Sequence, residues 1–258
     1  MPALETALAL LDDQRVDRYL SAGDAVGYGP HPNECIDRLR DVGAVSVAGN
    51  HELYLLDRLP PRRFSTRART SLAWTRSVVG SERFRWLSTL PDRATLGPIV
   101  MAHASLDDPE DYVVRPWQAK RQLGLLRSMD PDAKILVLGH THQPLYRTED
   151  GRARPVRGRA SRALSTRRTL VNPGSIGQSR QWERVPRARF ALLDLDRWTV
   201  RWFAVGYDHA AVLRDLEAVG LPPDSIHVRP SAPLAVARLI RAHTDLSVPR
   251  LVRSGAPR

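Results

Sequence analysis

The sequence predicts an α/β protein built on a mostly parallel sheet. Short apolar runs alternate with stretches of helical periodicity, which is the pattern of strands joined by crossover helices. Four of those runs end in a residue able to bind a metal, and in parallel sheets the carboxyl ends of the strands form the ligand crevice. A chain of 258 residues is long enough to bury one sizeable core.

Each element has its own signal. Leu4, Leu8 and Leu11 recur at helical spacing, so residues 3–15 read as an amphipathic helix. Val16 to Ala22 reads as a short strand ending at Gly23-Asp24, and a glycine-rich turn, Val26-Gly27-Tyr28-Gly29-Pro30, follows. Pro32-Asn33-Glu34 starts a helix through Leu39, with Asn33 as its expected N-cap. Ala44 to Ala48 is the next strand, ending at Gly49-Asn50-His51-Glu52. Residues 53–95 read as helical pieces broken near Pro60-Pro61, with Trp74, Phe84, Trp86 and Leu87 as core or lid contacts. Ile99 to Ala102 is a strand ending at His103, and a polar loop leads to a helix around residues 116–128.

The clearest run is Ile135-Leu136-Val137-Leu138, four apolar residues that read as a buried strand, with Gly139 allowing a close turn at its end. His140 and His142 lie two apart beyond it. In extended backbone, such residues project to one side, and two neutral imidazoles there make a natural chelate for a divalent transition metal. Taken alone, H-x-H reads equally well as two surface histidines in a polar turn. Leu145 to Thr148 and Thr169 to Val171 suggest strands flanking a long basic loop, with Asp150-Gly151 as a turn signal. Phe190 to Leu195 and Thr199 to Val205 form a hairpin pattern around Asp196-Arg197. Helices near 209–219 and 232–243, separated by Pro222-Pro223, precede a polar tail from Ser247. The expected division is a main domain over residues 1–207 and a C-terminal helical extension with a loose tail over 208–258.

Composition narrows the function. No apolar run approaches the roughly 20 residues needed to span a bilayer, and Met1-Pro2-Ala3-Leu4-Glu5 lacks the basic and apolar regions of a signal peptide. The expectation is a cytoplasmic protein without a membrane partner. Cys35 is the one cysteine, which excludes intrachain disulfides and cysteine-based zinc sites, so any metal must be held by His, Asp, Asn or Glu. The net charge of +11 is carried almost wholly by arginine, since Lys120 and Lys134 are the only lysines. A nucleic-acid partner is disfavoured, because the densest basic stretch, Arg147 to Arg168, contains no aromatic residue for base stacking. A solvated basic surface that attracts anionic substrates fits better.

The candidate ligands are Asp24, Asn50, His103, His140 and His142. Each alone has an ordinary explanation as a turn residue, a cap or a loop histidine. Nitrogen and oxygen donors arriving together at one sheet edge favour a metal site.

The ordered motifs Gly23-Asp24, Gly49-Asn50-His51-Glu52, His103 and Gly139-His140-Thr141-His142 resemble the calcineurin-like metallophosphoesterases. With Gly27-Tyr28-Gly29-Pro30 and Asn172-Pro173-Gly174-Ser175-Ile176-Gly177-Gln178, they are similar to the bacterial and archaeal predicted-phosphodiesterase branch. The resemblance covers roughly residues 3–207. It implies a four-layer αββα sandwich with two mixed β-sheets, and a metal-dependent phosphoesterase acting on a phosphodiester or phosphomonoester. It also implies a dinuclear site whose shared water becomes the attacking hydroxide. Asp24 would bridge both metals, Asn50, His103 and His140 would complete one, and His142 would belong to the other. His51 would be catalytic, facing the phosphoryl oxygens or protonating the leaving alkoxide. Mixed His, Asp and Asn ligands suit Mn best, with Fe and Zn as alternatives.

One departure bears on this. The family begins with a strand ending in Asp-x-His-Gly-Asn, where this sequence has Met1. The expectation is that this first strand and two ligands of the His142-side metal are missing from the chain as given, with the true start upstream of Met1 as the favoured reading and a protein lacking half of one metal site as the other. The alternative function is accordingly a catalytically impaired, single-metal member that binds a nucleotide or partner.

Overall fold

Pro2 sets the start of the first helix, because its missing N–H would have no helical partner there. Helix α1 (Pro2–Asp13) buries Ala3, Ala7 and Leu8. The structure, a computed structural model, describes residues 1–60, 63–151, 153–156 and 158–229. In order there follow β1 (Leu20–Ser21), α2 (Pro32–Asp41), β2 (Val45–Ser46), α3 (Asn50–Leu55), α4 (Thr66–Val78) and α5 (Ser81–Thr89). Then come β3 (Arg93–Leu96), β4 (Ile99–Ala102), α6 (Pro116–Met129), β5 (Ile135–Leu138), β6 (Leu145–Thr148), β7 (Ala153–Pro155) and β8 (Ala160–Ala163). The described chain closes with β9 (Thr169–Asn172), β10 (Ala188–Asp194), β11 (Thr199–Val205), α7 (His209–Ala218) and a 3₁₀ turn, Pro223–Ser225.

A six-stranded mixed sheet runs in the order β3-β4-β5-β9-β6-β7. Its centre, β4-β5-β9, is parallel, and antiparallel pairs flank it on both sides. The apolar runs of β4 and β5 are continuous because both faces of this sheet are covered. Val100, Ala102, Leu136 and Leu138 face one way and pack with Leu123 and Leu126 of α6. Ile99, Met101, Ile135 and Val137 face the other way, against Val200 and Trp202 of β11. Leu136 and Leu123 are wholly buried, and each such side chain contributes roughly 1.5–3 kcal/mol. The second sheet, β10-β11-β8, is antiparallel. Its outer face carries Phe190 and Phe203, stacked on each other and packed with Ala7 of α1. The order α6, sheet, sheet, α1 is the expected four-layer sandwich. A separate core of Ile36, Leu55, Leu72 and Leu87 joins α2 to α5.

Among the described residues, β1 pairs only with β2, in parallel, and β10 pairs only with β11. Both strands line a cavity of about 1140 Å3 that α1 also borders and that reaches Asp24 and His142.

Several expectations change. Asn33 is not a cap: His31 precedes α2, and the Asn33 amide instead spans the turn between α4 and α5, donating to the Val78 carbonyl and accepting from Gly80 N–H. Residues 93–95, the end of the stretch read as helical pieces, instead form strand β3 with Leu96, and its alternating exposure matches an edge strand. The basic loop between β6 and β9 holds β7 and β8, the first closing a hairpin over Asp150-Gly151 and the second joining the other sheet. Trp74, Phe84, Trp86 and Leu87 are packing residues. The helix expected near 232–243 and the tail from Ser247 lie outside the described residues.

Candidate metal centre

Four strand ends deliver their donors to one place. Beyond β1 comes Asp24, beyond β2 Asn50, beyond β4 His103, and beyond β5 His140. Asp24, His103 and His140 each offer a ligand atom within 4.8 Å of the others. The His103 Nε2 atom lies 3.0 Å from the Asn50 Oδ1, 3.2 Å from the His140 Nδ1 and 3.3 Å from the Asp24 Oδ2. The Asn50 Oδ1 is also 3.1 Å from the His140 Nδ1.

The backbone sets which ring nitrogen is free. His103 Nδ1–H donates to the Ala22 carbonyl at 2.7 Å, and His142 Nδ1–H donates to the Gln178 carbonyl at 3.0 Å. Each hydrogen bond leaves Nε2 as the coordinating atom, as a metal-bound histidine requires. With the His103 ring neutral, lone pairs from His103, Asn50 and Asp24 then face one another with no donor among them, an arrangement a cation would satisfy. The His140 Nε2 is buried with no hydrogen-bond partner among the described residues.

Electrostatics agree. Burial, with the charge on His103 next, pushes the His140 imidazole down to about 3, and burial holds His142 well below its ordinary value. Both rings are therefore neutral and able to coordinate near neutral pH. Burial acts to raise the Asp24 carboxyl, but His103, His51 and His140 outweigh it and hold it well below the usual carboxylate range. For His103 burial acts downward, yet Asp24 prevails and the ring is raised.

The extended-backbone reading of His140 and His142 is corrected. Asp24, His140 and His142 all adopt left-handed backbone, at φ 54°, 57° and 58°. The two histidines consequently diverge, His140 toward His103 and Asn50, His142 toward the Gln178 carbonyl, rather than forming one chelating pair. His51 lies beside the cluster, its Nδ1 donating to the Val26 carbonyl at 2.8 Å and its Nε2 3.9 Å from the Asp24 Oδ2. Its backbone N–H donates to the Asp24 Oδ1 at 3.1 Å.

Other residues hold the ligands in register. Glu52, wholly buried, accepts from Gly49 N–H at 2.7 Å, Asp24 N–H at 2.9 Å and Val26 N–H at 3.3 Å, tying the first two ligand loops together. Gly49 is required sterically: a Cβ there would lie 2.2 Å from the Asp24 Oδ1. The Asn172 amide donates to the Gly139 carbonyl at 2.6 Å and to the Thr141 hydroxyl at 3.1 Å, pinning the turn that carries His140. Sequence reasoning assigned no role to Glu52, although its place three residues after Gly49 is the spacing of a side chain that reaches back to a helix start. It also missed Tyr28, Tyr112 and Arg180. These line a 290 Å3 cleft in front of the cluster together with Asp24, Asn50 and His51.

Residues 1–197 match the model of the calcineurin-like phosphoesterase superfamily domain. The chain belongs to this superfamily. Its sequence is 25% identical over 214 residues to an uncharacterized protein of Methanocaldococcus jannaschii, covering 81% of this chain and 84% of that one. It is 38% identical over 122 residues to a symmetrical bis(5'-nucleosyl)-tetraphosphatase of Aromatoleum aromaticum, covering 46% of this chain and 42% of that enzyme. Among solved structures, a metallophosphoesterase from Sphaerobacter thermophilus superposes with a TM-score of 0.73 at 31% identity, over 87% of this chain and 91% of that one. A hypothetical protein from Pyrococcus horikoshii shares the fold, with a TM-score of 0.69 at 20% identity and the same coverage of 87% and 91%. No described helix is long and apolar enough to cross a membrane. Membership in this superfamily implies divalent metal ions, and the donor set around Asp24 fits them.

Proposed function

We propose that this chain hydrolyses a phosphoester bond using divalent metal ions, with manganese the best match to its ligands, and iron or zinc next. The observation that carries the reading is the convergence of His103 Nε2, Asn50 Oδ1, His140 Nδ1 and Asp24 Oδ2, with the Ala22 carbonyl fixing Nε2 as the free nitrogen of His103. These four residues would hold one metal. Asp24 would also reach a second, shared with His142. When bound, the metals supply a water of lowered pKa and neutralise charge on the phosphoryl oxygens.

The chain's own residues account for the rest. Water adds across a P–O bond, its oxygen going to phosphorus, while the departing alkoxide needs a proton. His51 would give it in its doubly protonated form: the Val26 carbonyl accepts from Nδ1–H, and Nε2–H would then face the leaving oxygen or a phosphoryl oxygen. The partial likeness to a symmetrical bis(5'-nucleosyl)-tetraphosphatase supports a nucleotide as the substrate class.

A second reading has an observation of its own. His142 lies outside the three-residue cluster of Asp24, His103 and His140. If Asp24 and His142, the candidates among the described residues, were its only protein ligands, the second metal would be left mostly to water, and a single-metal protein that binds without turnover follows if that metal never loads.

Manganese-stimulated hydrolysis of bis-p-nitrophenyl phosphate, with metal content measured alongside, tests both. The first reading expects turnover that Asp24→Asn and His140→Ala abolish, with loss of metal. Either variant retaining wild-type turnover and metal would overturn the site assignment. One tightly held metal without turnover would favour the second reading.

A further inference from the structure

Three arginines line the cleft in front of the cluster: Arg63, Arg67 and Arg180. Two of them are already neutralised. Arg63 sits 3.1 Å from the Asp108 carboxylate and 3.8 Å from Glu110, and Arg67 makes a two-pronged pair with Asp224. Arg180 differs. Its Nε donates to the Gln178 Oε1 at 2.8 Å, and its two terminal nitrogens donate to the Tyr112 hydroxyl at 3.2 Å and the Tyr28 hydroxyl at 3.4 Å. All three acceptors are neutral, and among the described residues no carboxylate lies within ion-pair distance of it. Building a cation into the mouth of a cleft with only neutral partners leaves its charge for a ligand.

Position reinforces this. The Tyr112 ring lies 4.2 Å from the His140 ring, and the Tyr28 ring lies 4.8 Å from His51 and 6.2 Å from His142. The two tyrosines that steady Arg180 therefore stand over the metal-ligand histidines themselves. Gln178 completes the link, since its carbonyl orients His142 while its side chain orients Arg180.

We infer that Arg180 is the anion-binding residue of the cleft, gripping non-bridging phosphoryl oxygens of the substrate and of the released phosphate, with Tyr28 and Tyr112 holding the guanidinium in place. The inference rests on the proposed phosphoesterase reading for its substrate, but phosphate binding tests it without turnover. A planar fork that meets two oxygens at once is what a lysine cannot reproduce.

The experiment is calorimetric titration of inorganic phosphate into the manganese-loaded full chain, paired with steady-state kinetics on bis-p-nitrophenyl phosphate. Arg180→Ala should weaken phosphate binding by about 10-fold or more and raise KM more than it lowers kcat, with metal content unchanged. Arg180→Lys should recover part of the loss. Arg63→Ala and Arg67→Ala should change phosphate affinity by less than about 2-fold, because their charges are already paired. The inference is overturned if the wild type fails to bind phosphate, if Arg180→Ala binds it as well as wild type, or if the paired arginines prove equally important. Phosphate binding that depends on Arg180 without any hydrolysis would sink the enzymatic reading and leave this one standing.

Discussion

Replacing Glu52 by glutamine tests whether a buried carboxylate, rather than a metal, holds the first two ligand loops together. Glu52 receives three backbone N–H groups, two of them on Oε2. Charge-assisted bonds of this kind contribute about 1.5–3 kcal/mol each, and neutral ones about 0.5–1.5. In Glu52→Gln the amide oxygen can keep the two bonds from Gly49 and Asp24 at neutral strength. Its NH2 group then meets the Val26 N–H, leaving one buried donor unsatisfied. These terms sum to a gross loss of about 3.5–6 kcal/mol, and the burial cost of the ionised carboxylate, which the amide escapes, reduces the net to about 2–4 kcal/mol, a large share of a domain stability of roughly 5–15 kcal/mol. At a urea slope of about 2–3 kcal/mol per molar, the unfolding midpoint should fall by about 1 M. The assay is urea denaturation of the metal-free protein followed by far-UV circular dichroism. Burial, and repulsion from Asp24 after it, push the Glu52 carboxyl above its ordinary range. A raised carboxyl costs the fold stability once it ionises, a cost the amide never carries, so wild type should gain on the glutamine variant as pH falls through the folded value and the gap between them should widen in acid. A glutamine variant with the wild-type midpoint near neutral pH would refute the clamp.

Further outcomes are expected. Gly27→Ala would place a Cβ 2.2 Å from the His51 Nδ1 at a backbone φ of +91°; turnover should fall by about 100-fold with metal retained, measured by kinetics and elemental analysis, and metal loss would contradict it. His51→Ala should likewise lower turnover and spare the metal, whereas equal metal loss would make His51 a ligand. Burial acts to raise Glu183, but hydrogen bonds from Arg189 and Ser179 prevail and hold it below its ordinary value of 4.5. A depressed carboxyl stabilises the fold above that ordinary value and stops doing so as pH falls through the folded one, so the stability gap between wild type and Glu183→Gln should close in acid. A gap independent of pH would exclude the Arg189 ion pair as its source.

What could be read from the sequence was local, and what could not was long-range. Strands β4 and β5 were legible to the residue because burial on both faces leaves no polar interruption in Ile99–Ala102 or Ile135–Leu138. The donors at four strand ends were legible for the same reason, since each follows a recognisable run. Strand β3 was hidden by its edge position, where Arg93-Ala94-Thr95-Leu96 alternates like any polar segment. β7 and β8 were hidden among arginines. The turn of His140 away from His142 was invisible because periodicity rules assume extended backbone and the observed φ is left-handed. Arg180 meets Tyr112 across 68 residues and Tyr28 across 152, separations over which spacing carries no information.

The left-handed backbone at Asp24, His140 and His142 has a thermodynamic consequence for the protein as a whole. Aspartate and histidine tolerate this region better than most residues, yet each still sits above its relaxed conformation by something on the order of 1 kcal/mol. Glycine would sit there freely. Without metal, His142→Gly should therefore unfold at a higher denaturant concentration than wild type if its lost Gln178 hydrogen bond is worth less than the relief, while with saturating metal the order should reverse. Such a site is one the fold maintains against its own preference. Selection for a sturdier chain, relieved of the need for catalysis, would be expected to erode these three positions first.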